Sequence, residues 1–176
     1  MGQYYKAILL TDDTNEIICY LTAWDYDNFV KLTEHSWIGN EYVEAVEALL
    51  AQPTRVVWAG DSAPKEPGTA LNLFMKANSA PKAQKTKPLP VGGYVVNHDK
   101  RLYVDKSTVK PNSHGFRLHP LPILTAEGNG RGGGDLFPGN TSGNYELVGT
   151  WARDRISVSH TPPEGYDELT FNLIDN

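Results

Sequence analysis

The sequence predicts an α+β fold: antiparallel hairpins forming a mixed or split sheet, with two or three helices on one face. Two observations carry this. Two pairs of short runs rich in Ile, Leu, Val and Tyr are each separated by a polar turn segment, and one well-capped amphipathic helix with two weaker ones falls between them. At 176 residues the chain fits a single domain, 1–176, long enough to bury a sizeable core.

Taken in order, Tyr4–Leu10 and Glu16–Leu21 read as strands of a hairpin closed by Thr-Asp-Asp-Thr-Asn. Asp25-Tyr-Asp-Asn offers N-caps for a short helix over Phe29–Glu34. Asn40 caps a better helix, whose Tyr42, Val43, Val46, Leu49 and Leu50 follow the 3.6-residue period until Pro53. Arg55-Val-Val-Trp-Ala is a short buried strand running into the turn Gly60-Asp61, and Thr69 can cap a helix over Ala70–Ala77. Ser79–Pro90, with three prolines and three lysines, reads as a connector. Tyr94–Asn97 and Leu102–Asp105 make the second hairpin. Pro120 and Pro122 mark Arg117–Leu124 as an edge strand or extended segment. Glu146–Trp151, Ile156–Ser159 and Tyr166–Ile174 read as three further strands.

A faint repeat runs through this order. Tyr-led hairpins begin at Tyr4 and Tyr94, and Trp58-Ala-Gly-Asp61 and Trp151-Ala-Arg-Asp154 follow 54 and 57 positions later. Half-repeats 1–78 and 91–176, joined by the connector 79–90, are one reading; coincidence is the other.

Composition narrows the function classes. A formal charge of −5 argues against duplex nucleic acid, which needs a basic face. No apolar run approaches a membrane span, and the opening Met-Gly-Gln-Tyr-Tyr-Lys lacks a signal-peptide pattern. Lys6 stands where myristoylation wants Ser or Thr. With a single cysteine, Cys19, read as a small strand hydrophobe, the expectation is a cytoplasmic chain.

The candidate site is Thr125–Asp135, which holds five of the sixteen glycines: Gly128, Gly130, Gly132, Gly133 and Gly134. Such a loop turns backbone N–H groups toward an anion, with Arg131 adding a guanidinium fork. The alternative is a tight structural loop in which Arg131 pairs with Asp135 or Glu127. Gly128-x-Gly130-x-x-Gly133 lacks the β-α-β context of a dinucleotide fingerprint. The second constellation is Trp151-Ala-Arg-Asp-Arg. There Arg153 and Arg155 would neutralise phosphate, Asp154 orient an arginine or accept a ribose hydroxyl, and Trp151 stack on a base. Its alternative is a core tryptophan beside surface ion pairs. For catalysis, Glu127, Asp135 or Asp154 would be the base and His119 the acid. The five histidines show no metal-ligand spacing, and Ser157 and Ser159 lack a Gly-x-Ser-x-Gly elbow.

Three runs, Tyr94–Asp105, His119–Asp135 and Val148–Val158, resemble a family of small uncharacterised bacterial and phage proteins. Many of its members also begin Met-Gly-Gln-Tyr-Tyr and carry a segment like Trp58–Asp61. The resemblance carries no activity to this chain. A phage setting would suit sequestration of a host nucleotide signal, in the host cytoplasm.

The reading that follows is a binder of a small anionic, nucleotide-like ligand. An enzyme on such a nucleotide, a hydrolase or transferase, is the alternative, and a protein-interaction module is a third. No cofactor is assigned, and a homo-oligomer is compatible with all three.

Overall fold

The computed structural model describes residues 2–13, 16–85, 92–136 and 145–173. Eight strands form one mixed, open sheet: β1 (Tyr5–Leu10), β2 (Ile17–Leu21), β3 (Thr54–Gly60), β4 (Tyr94–Asn97), β5 (Leu102–Asp105), β6 (Ala126–Glu127), β7 (Arg155–Ser159) and β8 (Asp167–Glu168). The order across the sheet is β2-β1-β3-β7-β4-β5-β8. Both hairpins form as the sequence predicts, with Leu9 opposite Cys19 and Val95 opposite Val104.

The centre is β3. One edge pairs antiparallel with β1 along its length. The other edge is shared: Thr54 and Arg55 pair with β7, whereas Trp58 and Ala59 pair in parallel with β6, the strand that launches the glycine loop. Each hairpin therefore lies beside a single strand, β3 or β7, and these two meet in the middle. The two Trp-Ala motifs are not equivalent within that order, since Trp58 lies inside β3 and Trp151 lies in the turn before β7.

Among the described residues four short α-helices complete the fold: α1 (Leu32–His35), α2 (Glu41–Glu47), α3 (Leu73–Lys76) and α4 (Pro120–Leu124). Residues of α1, α2 and α4 pack with Tyr5, Ala7, Val56, Trp58, Val95 and Ile156 on one face. α3 packs on the other, over Ile8, Leu10, Val57 and Ala59. Isolated helices shorter than about 12–15 residues are marginal in water. The seven residues of α2 are held instead by fully buried Tyr42, Val43 and Val46, with apolar burial contributing about 1.5–3 kcal/mol per large side chain. Asn40 Oδ1 caps it, accepting the N–H groups of Tyr42 and Val43.

Several expected elements are corrected. The first helix begins at Leu32 and not at Phe29, and Asn72, not Thr69, caps α3. The supposed edge strand Arg117–Leu124 contains α4. Pro120 sits at its first position and Pro122 at its third, where an N–H has no intrahelical acceptor anyway, so both prolines are tolerated. His119 Nδ1 caps it by accepting the Leu121 N–H at 3.1 Å. Tyr145–Leu147 is a 3-10 turn and Val148–Asp154 a series of turns, not a strand. The closing strand shrinks to Asp167–Glu168, and Ile174, where it was expected to end, lies outside the described residues. The connector's Pro81–Ala83 is bound to the sheet edge: Tyr20 N–H donates to Pro81 and Ala83 N–H donates to Tyr20. Its residues 86–90 lie outside the described residues.

Candidate functional site

The glycine loop closes around a carboxylate of its own. Asp135, 8 % exposed, receives on Oδ2 the backbone N–H groups of Gly130 at 2.7 Å, Arg131 at 3.0 Å and Gly132 at 3.1 Å. Gln3 Nε2 donates to the same oxygen at 2.7 Å, and the Tyr5 hydroxyl donates to Oδ1 at 3.1 Å. The N–H cradle inferred from the glycines is real, and the anion in it is Asp135. Burial first, and then the charge of Asp135, hold the Tyr5 phenol well above its ordinary range, so it stays a donor.

The glycines are explained by Gln3, which is fully buried. A Cβ on Gly132 would stand 2.5 Å from Gln3 Cβ, and one on Gly60 would stand 2.7 Å from Gln3 Cδ. One on Gly128 would fall 2.8 Å from Ala63 Cα. Three bare positions thus make the slot that admits the Gln3 side chain. Its Oε1 accepts the Ser62 N–H and its Nε2 also reaches Gly128 O, while its backbone N–H binds Gly133 O. Gly2 bridges Gly133, so Gly133 is part of a backbone pairing. Gly134 is the glycine of the Gly132–Gly134 run that takes a positive φ, +80°. The start of the chain and the loop, far apart in sequence, are one structural unit. Gln3 and Tyr5 have no signature in sequence that marks this role, other than their place in the opening motif.

Arg131 is exposed, and among the described residues its side chain makes one long hydrogen bond, 3.4 Å to Ser62 O. Its expected partners are engaged elsewhere: Asp135 takes its backbone N–H, and Glu127 pairs with Arg153.

Arg153 is the residue around which a cleft is organised. Its Nε and Nη2 donate to the two oxygens of Glu127 at 2.8 and 2.7 Å, and Nη1 and Nη2 donate to Glu66 at 3.1 and 2.5 Å. Hydrogen bonding to Glu127 is the largest effect on this guanidinium, and with Glu66 it outweighs burial and holds the pKa above the ordinary arginine value. The backbone at Arg153 has φ +68°, a left-handed conformation uncommon for a side chain of this size. Arg153 N–H binds Val56 O and Arg55 Nη1 binds Arg153 O, which fix the turn to β3.

Arg153 and Glu66 line a cleft of about 570 Å³ together with Glu16, Lys76, Pro67 and Pro81. That is the size range of small-molecule sites. Glu66 and Lys76 carry no signal of periodicity or motif, and the sequence offers nothing that joins them to Arg153.

The remaining candidates are dispersed. Trp151 is 1 % exposed and packed in the main core, so its ring is not available for stacking on a ligand. Arg155 faces Asp99, with Nε–Oδ1 at 2.7 Å. Asp154 accepts from Asn97 Nδ2 at 2.8 Å and pairs with Lys100. His119 is buried and committed: with Nδ1 accepting the α4 cap bond, Nε2 donates to Glu47 at 2.7 Å. Lys106 also reaches Glu47, at 2.6 Å. Burial opposes ionisation of Glu47, but His119 and then Lys106 prevail and its pKa lies below the usual value. This cluster ties α2 to α4, and His119 is not the acid expected of it. Among the described residues no group of three His, Cys, Asp or Glu is placed to hold a metal ion, and no helix is long and apolar enough to cross a membrane.

Comparison with family models, with curated proteins and with solved structures finds no match. The geometry alone therefore carries the functional reading.

Proposed function

We propose that this chain binds a small anionic ligand of nucleotide size, in the cleft walled by Arg153, Glu66 and Lys76 and not on the glycine loop. The observation that carries the reading is Arg153. Its guanidinium is held in one orientation by two carboxylates and a left-handed backbone, and it opens onto a cleft that also presents Lys76. Preorganised guanidinium forks suit carboxylate and phosphate. A ligand anion competes with Glu66, whose bond to Arg153 lines the cleft, while Glu127 keeps hold of Nε from behind.

The glycine loop supports this site without touching the ligand. With its N–H groups spent on Asp135, it fixes β6 beside β3 and so places Glu127 against Arg153.

The test is calorimetric titration with a panel of mono- and dinucleotides and inorganic phosphate. Arg153→Ala should lower the affinity of whichever probe binds by about 1–3 kcal/mol, the usual value of a hydrogen bond to a charged group. Arg131→Ala should leave it unchanged. Conversion of a bound nucleotide that stops in Glu66→Gln would make the chain an enzyme with Glu66 as its base. Binding that is lost in Arg131→Ala and kept in Arg153→Ala would return the site to the loop.

A further inference from the structure

The face of the sheet that α3 covers over β1 and β3 continues across β7, β4 and β5 with a different set of side chains. Ser157 stands opposite Val96, and Val96 opposite Tyr103, so these three share that face, while Ile156, Val158, Val95 and Val104 point into the core on the other side. On this face Ser157 Oγ lies 2.7 Å from His98 Nε2, and His98 Nδ1 lies 3.1 Å from the Tyr166 hydroxyl. Neither hydroxyl has another hydrogen-bond partner among the described residues. The His98 and Tyr166 rings meet edge to face, 5.7 Å apart. Arg101 also holds Tyr166, with its guanidinium 4.8 Å from the ring centre and a bond to Gly165 O.

We propose that Ser157, His98 and Tyr166 form a second site, in which Ser157 Oγ is a nucleophile toward small esters and His98 is its base. The array has a hydroxyl within reach of an imidazole, and that imidazole is oriented by a third group on its other nitrogen. Arg155, two residues before Ser157 and therefore on the same face of β7, is the cation for the developing oxyanion. Asp99 occupies its Nε, and its Nη groups have no hydrogen-bond partner among the described residues. In the reaction His98 Nε2 takes the Ser157 proton as Oγ bonds to the ester carbonyl carbon. The tetrahedral oxyanion then collapses, the bond to the alcohol oxygen breaks, and the proton on Nε2 passes to the departing alkoxide. Throughout, the Nδ1 proton is held by Tyr166. Water, activated by the same nitrogen, then releases the acid and restores Ser157. Ser157 is 7 % exposed, so a small, unhindered ester is the probe to use.

The charges around His98 suit a base. Burial lowers its pKa, nearby Arg155 lowers it further, and Asp99 opposes them, so the ring is neutral at pH 7. None of Ser157, His98 and Tyr166 lines the Arg153 cleft, and the sequence signals of this site are too far apart to read: no Gly-x-Ser-x-Gly elbow surrounds Ser157.

The test uses the intact chain and p-nitrophenyl acetate, following nitrophenolate release and the mass of the Ser157 peptide. We expect either an acetylated Ser157 or turnover, absent in Ser157→Ala and reduced at least ~100-fold in His98→Gln, in keeping with the size of general-base effects. Ser159→Ala, whose hydroxyl is bonded to Thr161, should match wild type. The rate should rise with pH through a single ionisation below 6.5 and then level off. Circular dichroism establishes that each variant is folded. Release that is unchanged in Ser157→Ala, or a His98→Gln variant that reacts as fast as wild type, overturns the proposal.

Discussion

Two charged centres of this molecule are both neutralised from within, yet their surroundings differ. Asp135 is buried and receives five hydrogen bonds from the glycine loop, Gln3 and Tyr5. Arg153 has a comparable set of bonds to Glu66 and Glu127, but its side chain is 28 % exposed on the wall of a cleft. A fully enclosed charge cannot exchange partners without unfolding its shell, whereas a half-buried one meets solvent and can trade a carboxylate for a ligand. The first centre is architecture, and the second is the proposed site. Glycine content alone does not distinguish them, because the same N–H cradle serves an external phosphate or an internal aspartate.

The largest effect should come from emptying the cradle. Asp135→Ala strands three loop N–H groups, the Gln3 amide and the Tyr5 hydroxyl, and should cost about 3 kcal/mol or more, given ~1–3 kcal/mol for each buried group left unsatisfied. Urea unfolding measures it. A loss under about 1 kcal/mol would mean that solvent reaches the cradle freely, and the contrast with Arg153 would fail.

Acid should strike the buried side next. His35 is fully buried between Trp58, whose indole donates to Nε2 at 2.8 Å, and Phe29 O, bound at 2.9 Å by Nδ1. Burial lowers its pKa from 6.5 to about 4. The unfolded chain therefore takes up the proton first, so the stabilisation is complete above pH 6.5 and falls as pH drops toward about 4. At about 1.4 kcal/mol per unit this amounts to about 3 kcal/mol. The slope of stability against pH between 6.5 and 4 should flatten in His35→Gln, which keeps a donor and an acceptor but does not titrate. An equal slope in both proteins would assign the acid sensitivity to the carboxylates instead.

Two glycines separate close packing from backbone strain. Gly132→Ala drives a methyl into Gln3 and should cost about 2 kcal/mol, in the range for overpacking. Gly130 has open space around it but φ +89°, so its alanine should cost only about 1 kcal/mol. Thermal melts that reverse this order would show that Gln3 is not seated in the slot. Smallest of all, Arg131→Ala should change stability by less than about 0.5 kcal/mol, as an exposed side chain with one long hydrogen bond.

What the sequence shows and what it conceals follow from the range of the interactions involved. The hairpins β1-β2 and β4-β5 and the Asn40 cap of α2 are legible because strand alternation and capping are local patterns. α4 is misread because two prolines normally exclude a ladder position, yet both fall in a first turn that needs no N–H. Trp151 is misread because an apolar run looks like a strand whether it lies in one or fills a turn under the core. The candidate loop stands out in sequence as a cradle for an anion, but nothing there tells that Asp135 of the same loop fills it. Its use depends on Gln3 and Tyr5, more than a hundred positions away, and no short-range pattern reports that pairing. The Arg153 clamp is half visible: Arg153 and Glu127 are both candidate residues, but Glu66, in an irregular turn, is not.

The most direct test of this division is amide NMR of the labelled chain, titrated with the nucleotide and phosphate panel. The account predicts that Gly130, Arg131 and Gly132 N–H groups are protected from exchange in the free protein and keep their shifts on titration. The Arg153 guanidinium and the amides of Glu66 and Lys76 should be the groups that move. If the three loop amides exchange rapidly and shift with ligand while Arg153 stays still, the loop is the site and Asp135 is not its anion.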